Sequence, residues 1–187
     1  MKWIPLIAAL ALAGCASAPD RDPRAAFFDR LAALCGRAFE GRIVSPPVDA
    51  DRDFAGKRIV MQVRDCDSDE IRIPLAVGDD RSRTWIVRRG AAGGPAALAL
   101  AHDHRHADGS EDRLSRYGGA TIAPGSTSRQ EFPADAFSRE LFARENIPAS
   151  IANVWAMEIR PGTLFAYELR RPGRFFRLEF DLHRPLP

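Results

Sequence analysis

The chain has 187 residues, with 27 Lys+Arg against 25 Asp+Glu, four histidines and three cysteines, for a formal net charge of +2. That is about one domain's worth of chain. A surface so close to neutral argues against nucleic acid as a partner.

The first element is the leader. Residues 1–13 read MKWIPLIAALALA: one lysine near the start, then an apolar run too short to span a bilayer as a permanent anchor. This is the pattern of a secretory signal peptide, here residues 1–14. Leu12-Ala13-Gly14-Cys15 resembles the lipobox of bacterial lipoproteins, a likeness confined to the first fifteen residues. The resemblance implies that Cys15 becomes the acylated first residue of the mature chain. Ala16, rather than an aspartate, follows it, which implies sorting to the outer membrane, facing the periplasm. Residues 15–22 would then be a lipidated tether, and residues 23–187 a single domain held near the bilayer by its lipid anchor. Cleavage after Ala16-Ser17-Ala18 and release as a secreted protein is the alternative. It would leave Cys15 without a purpose in an oxidising compartment, which favours the lipoprotein reading. Loss of the leader removes Lys2 and leaves 26 basic against 25 acidic residues.

In the domain, Asp22 can cap a helix that carries Pro23 in its first turn and puts Phe27, Leu31 and Leu34 on one face. A hairpin of 38–44 with 58–64, looping through 46–51, sets Cys35 opposite Cys66. Directly opposed strand residues lie ~4.5–5.5 Å apart at Cα, so a disulfide is expected. Two buried thiols or a metal pair is the competing reading, and no CxxC spacing accompanies it. Period-two alternation follows. Ile71, Ile73, Leu75 and Val77 share a face, with Pro74 marking an edge or bulge. Asp79 to Thr84, Tyr117-Gly118-Gly119 and Gly125-Ser126 read as turns. Asp135 precedes a helix with Phe137 and Leu141 on its apolar face, flanking or plugging one end of the sheet. The tail is a three-stranded meander, with Phe165, Tyr167 and Leu169, then Phe176, Leu178, Phe180 and Leu182, facing inward. Its turns are Arg160-Pro161-Gly162-Thr163 and Arg171-Pro172-Gly173-Arg174.

About ten short strands with hairpin-length connections and no βαβ spacing predict an all-β protein, an antiparallel up-and-down barrel of about 8–10 strands. A helix leading into the first strand through Leu34-Cys35-Gly36-Arg37-Ala38-Phe39-Glu40-Gly41, followed by a meander, is similar to the lipocalin or broader calycin plan. That likeness implies a carrier of hydrophobic ligands. The Gly-x-Trp of the first lipocalin strand is absent, so the likeness is architectural and carries no ligand residues across.

The segment Leu98 to Ser110, LALAHDHRHADGS, holds three of the four histidines. Alternation places Leu98, Leu100, His102, His104 and His106 on one face. Asp108-Gly109 as a two-residue turn would pair His106 with Glu111 and Arg105 with Asp112. Neighbouring imidazoles of a strand H-x-H can converge on one zinc, whereas His102 and His106 stand ~13 Å apart. A metal-dependent or acid/base hydrolase built on His102, His104, His106 and Glu111, with His183 as a further ligand, is therefore one reading, and zinc is the cofactor it would require. The structural reading, in which the histidines are pore-mouth or hydrogen-bonded residues and no cofactor is called for, is preferred, since Arg105 and Arg113 oppose a dication. No Gly-x-Ser-x-Gly elbow, HExxH or phosphate loop occurs, and Trp85 and Trp155 read as core residues that could also line a lumen. The expectation is a noncatalytic envelope lipoprotein whose barrel binds a small hydrophobic or amphipathic ligand or an envelope partner.

Overall fold

The computed structural model describes residues 21–90, 94, 95 and 97–187. The signal peptide, Cys15 and most of the tether lie outside the described residues. Helix α1 (Pro23–Ala32) starts where Asp22 accepts from the Arg24 N–H at 2.8 Å, with Pro23 in its first turn. Among the described residues eleven strands follow: β1 (Ala38–Ile43), β2 (Ile59–Gln62), β3 (Arg64–Cys66), β4 (Glu70–Val77), β5 (Asp80–Arg89), β6 (Leu98–His104), β7 (Tyr117–Ala120), β8 (Arg129–Pro133), β9 (Val154–Arg160), β10 (Leu164–Arg171) and β11 (Arg174–Leu186). Helix α2 (Ala136–Arg144) and a 3-10 turn at Pro148–Ala152 lie between β8 and β9.

All pairings between these strands are antiparallel, in the order β7-β6-β5-β4-β2-β1-β11-β10-β9-β8, with β3 continuing β2 against β4. Each strand thus sits beside its sequence neighbours, the first and last pair with each other, and the meander rolls into a nearly closed up-and-down barrel. The remaining joint runs between β7 and β8. There a single Gly119–Ala134 bridge, the Asp135 N–H to Gly118 carbonyl bond (3.1 Å) and the Ser138 hydroxyl, bonded to both the N–H and the carbonyl of Gly118 (2.7 and 2.9 Å), bring the edges together.

Alternation determines which side chains fill the interior. Ile71, Ile73, Leu75, Val77, Phe165, Tyr167, Phe176, Leu178, Phe180 and Leu182 are all buried. Their polar neighbours form the outer wall, where Glu168 is clasped by Arg129 (2.5 Å) and Arg177. Burial pushes its pKa up, but the two guanidinium groups outweigh this and hold it below the ordinary value. Pro74, which has no N–H to give the ladder, lies where the pairing of β4 passes from β2 to β3. Gly162 and Gly173 take φ of +70° and +71° in the two Pro-Gly turns. Helix α1 closes one end of the barrel with Phe27, Phe28, Leu31 and the following Leu34, all buried. The Arg89 guanidinium at the end of β5 bonds Asp29 and lies 4.1 Å from the centroid of the Phe28 ring.

Several local expectations are corrected. The first hairpin pairs Ala38 with Gln62, one residue off the expected register, and Asp65, at φ +48°, supplies the extra residue that brings Cys66 back to Cys35. The disulfide is formed, with Cα atoms 6.3 Å apart. In α2 the inward face is Ser138, Leu141 and Phe142, while Phe137 is exposed, because Ser138 has to seat on the Gly118 backbone. Asp80 to Thr84 are strand, and so are Tyr117-Gly118-Gly119. The His hairpin turns through three residues instead of two: Gly109 donates to the His106 carbonyl (2.9 Å), His106 donates to Ser110 (2.9 Å), and Gly109 sits at φ +85°. Arg105 therefore faces Glu111 and not Asp112. An irregular stretch through Asp112–Arg116, with Arg116 at φ +63°, then shifts the ladder so that His102 pairs with Tyr117.

Candidate functional site

The end of the barrel opposite α1 opens into a cavity of about 480 Å³. Its wall comes from β4 to β7 and β9 to β11, with Leu75, Trp85, His102, Tyr117, Trp155, Tyr167, Phe176 and Leu178 joined by Arg83, His104, Leu169, Arg171 and Arg174, and from α2, which adds Phe142. Phe54 and Asp51 come from the loop between β1 and β2. A volume of this size, and a wall that mixes aromatic and aliphatic side chains with fixed polar and charged groups, suit a small molecule with both an apolar and a polar part.

His102 sits on the cavity wall. Its Nδ1–H donates to the Tyr117 carbonyl at 3.0 Å, so Nε2 is the acceptor for the Tyr167 hydroxyl at 2.7 Å. Both ring nitrogens are therefore engaged. Burial holds its pKa down to about 3, and the neighbouring His104 adds to the effect against the Tyr117 hydrogen bond. The ring stacks on Tyr117 (4.7 Å, 15°) and lies 5.0 Å from Trp155, while Trp85 stacks on Tyr167 (4.3 Å, 15°). Burial likewise raises the Tyr117 phenol to about 12 and Tyr167 well above the ordinary value, so both remain neutral donors. The Tyr117 hydroxyl reaches His104 Nε2 at 3.1 Å. Burial, and then the charge of Arg83, lowers the His104 pKa.

The residues singled out in the sequence thus divide into two groups. His102 and His104 share the cavity wall. His106 is exposed at the turn with Nε2 3.6 Å from Asp112, and Glu111 is taken up by Arg116 (2.5 Å) and Arg105 (3.6 Å). His183 is exposed on β11 beside Asp181. Asp103, on the opposite face of β6, accepts from Arg105 and Ser115. Among the described residues no group of three or more His, Cys, Asp and Glu side chains gathers as metal ligands would.

The charged part of the wall was missed in the sequence. Arg174 clasps Asp51, with Nη1 to Oδ2 at 3.0 Å, across 123 residues of chain, and Arg83 pairs with Asp80. Arg171 donates from Nη1 to the Ser150 hydroxyl (2.9 Å) and the Asn153 side-chain carbonyl (3.0 Å). One signal did exist: Arg171 and Arg174 flank the Pro172-Gly173 turn and so must stand at one end of a barrel. No protein-family model, curated protein or solved structure matches this chain.

Proposed function

We propose that this protein is a noncatalytic envelope lipoprotein whose barrel holds a small amphipathic molecule in the cavity beside His102. The observation that carries this reading is the one-ended lumen: α1 plugs one end, while the other keeps about 480 Å³ of space beside a His102 ring already bonded to the Tyr117 carbonyl and the Tyr167 hydroxyl. His102 has both ring nitrogens engaged and the two phenols are neutral, which supports a wall that holds a ligand over one that transfers protons. The lipobox-like Leu12-Ala13-Gly14-Cys15 supports anchorage at Cys15 in the outer membrane, with the domain in the periplasm. The chain enters the barrel through α1, at the closed end. Anchorage would then set the closed end nearer the bilayer and the mouth toward the aqueous compartment.

The test uses N-phenyl-1-naphthylamine, a neutral aromatic probe that fluoresces in apolar surroundings. The chain carrying Cys15→Ser, so that no acyl group competes, should bind it saturably at one site. Leu169→Trp, which places an indole in the lumen, should weaken that binding at least roughly tenfold, since the probe and the indole cannot share the space. Absence of saturable binding, or binding indifferent to Leu169→Trp in a variant that still unfolds cooperatively, would overturn the reading.

A further inference from the structure

The cavity wall carries three arginines and two carboxylates, and their pairing is uneven. Arg174 is neutralised by Asp51, and Arg83 by Asp80, a carboxylate just outside the lining. Asp112 accepts from the Leu114 N–H (2.7 Å) and lies beside His106, both on the β6–β7 connection. Arg171, at the end of β10, is left with two neutral acceptors, Ser150 and Asn153, and among the described residues no carboxylate lies within ion-pair distance of it. Both acceptors engage the same nitrogen, Nη1, so the remaining N–H groups of the guanidinium have no protein acceptor among the described residues. A half-buried guanidinium steered by neutral groups and left without a counter-ion is an incomplete ion pair, and an anion on the ligand would complete it. Burial, together with the repulsion of Arg174, already lowers the pKa of Arg171, the direction expected of a cation lacking compensation.

We propose that Arg171 is the headgroup site of the cavity and that the ligand is an apolar, ring-bearing molecule ending in a single anionic group such as a carboxylate or sulfonate. The ring body lies against Trp85, Trp155 and Phe176, and the anion meets Arg171 at the rim. This deepens the carrier reading above and rests on it.

Two probes share one ring body and differ by one sulfonate: 8-anilinonaphthalene-1-sulfonate and N-phenyl-1-naphthylamine. With the Cys15→Ser chain the sulfonate should bind roughly tenfold or more tighter than the neutral probe, the scale of one charge-assisted contact. Arg171→Gln should abolish that preference, weakening the sulfonate far more than the neutral probe, in a variant that still unfolds cooperatively. Arg171→Lys, which keeps the charge but not the fork, should retain part of the preference. A wild-type ratio near one, or a ratio untouched by Arg171→Gln, would overturn the headgroup site and leave the carrier reading standing. If neither probe binds, both fall.

Discussion

A histidine with both nitrogens hydrogen-bonded inside an aromatic cluster is part of the wall first and a chemical group second. His102 is neutral when folded, with its pKa held near 3, whereas in the unfolded chain it titrates near its ordinary 6.5. Above the unfolded value neither state carries the proton, and this group has no influence on stability. As the pH falls from about 6.5 toward 3, the unfolded chain takes up a proton that the native chain refuses. Stability should therefore fall with acidification, by about 1.4 kcal/mol per pH unit from this group. Urea unfolding at pH 7, 6 and 5 should show a steeper loss for the wild type than for His102→Gln, which cannot titrate but can still donate and accept. Coincident pH profiles would mean that His102 does not hold this neutral, doubly bonded state. The role of the histidines was half legible in the sequence. Period two put His102 and His104 on the leucine face, and so at the lumen. The Tyr117 carbonyl fixes the His102 tautomer, but the Tyr167 hydroxyl that occupies its other nitrogen lies 65 residues away and no local pattern announces it.

At the level of single elements, strand identity was legible wherever one face is apolar and the other charged, as in β4 and β11. It failed at the polar start of β5, Asp80 to Thr84, and where a strand had to be made of glycine. Tyr117-Gly118-Gly119 looks like a turn because glycine is the usual turn residue, yet here the glycines allow two strand edges to meet. A Cβ on Gly118 would lie 1.8 Å from the Leu100 carbonyl oxygen, and one on Gly119 1.8 Å from that of Pro133. Backbone atoms occupy that space, so a side chain can be accommodated only by moving a strand. Gly119→Ala should accordingly cost about 1–3 kcal/mol, which for a domain of this size lowers the melting temperature by several degrees. Thermal unfolding followed by circular dichroism checks this. An unchanged midpoint would show that β7 and β8 do not meet closely there. The β6–β7 hairpin teaches a related lesson. Asp108-Gly109 did mark the turn, but the loop length decides the register, and one extra residue replaced Asp112 by Glu111 opposite Arg105.

For the molecule as a whole, the barrel followed from the count of strands and the shortness of their connections, because a chain of hairpins whose first and last strands are both apolar on one face buries them best by pairing them. The cavity did not follow. Whether a barrel is solid or hollow depends on how the strand ends of distant segments taper together, and its charged rim on contacts such as Asp51 with Arg174, which depend on closure having already occurred. A lumen open at one end and plugged at the other is the central claim, and its occupant is its most direct test. Native mass spectrometry of the full chain, extracted gently from the envelope of the cells that make it, should show the mass of the acylated Cys15 form together with a retained small molecule that dissociates on activation and is lost in Leu169→Trp. A bare protein mass under the same gentle conditions, identical for the wild type and Leu169→Trp, would contradict it.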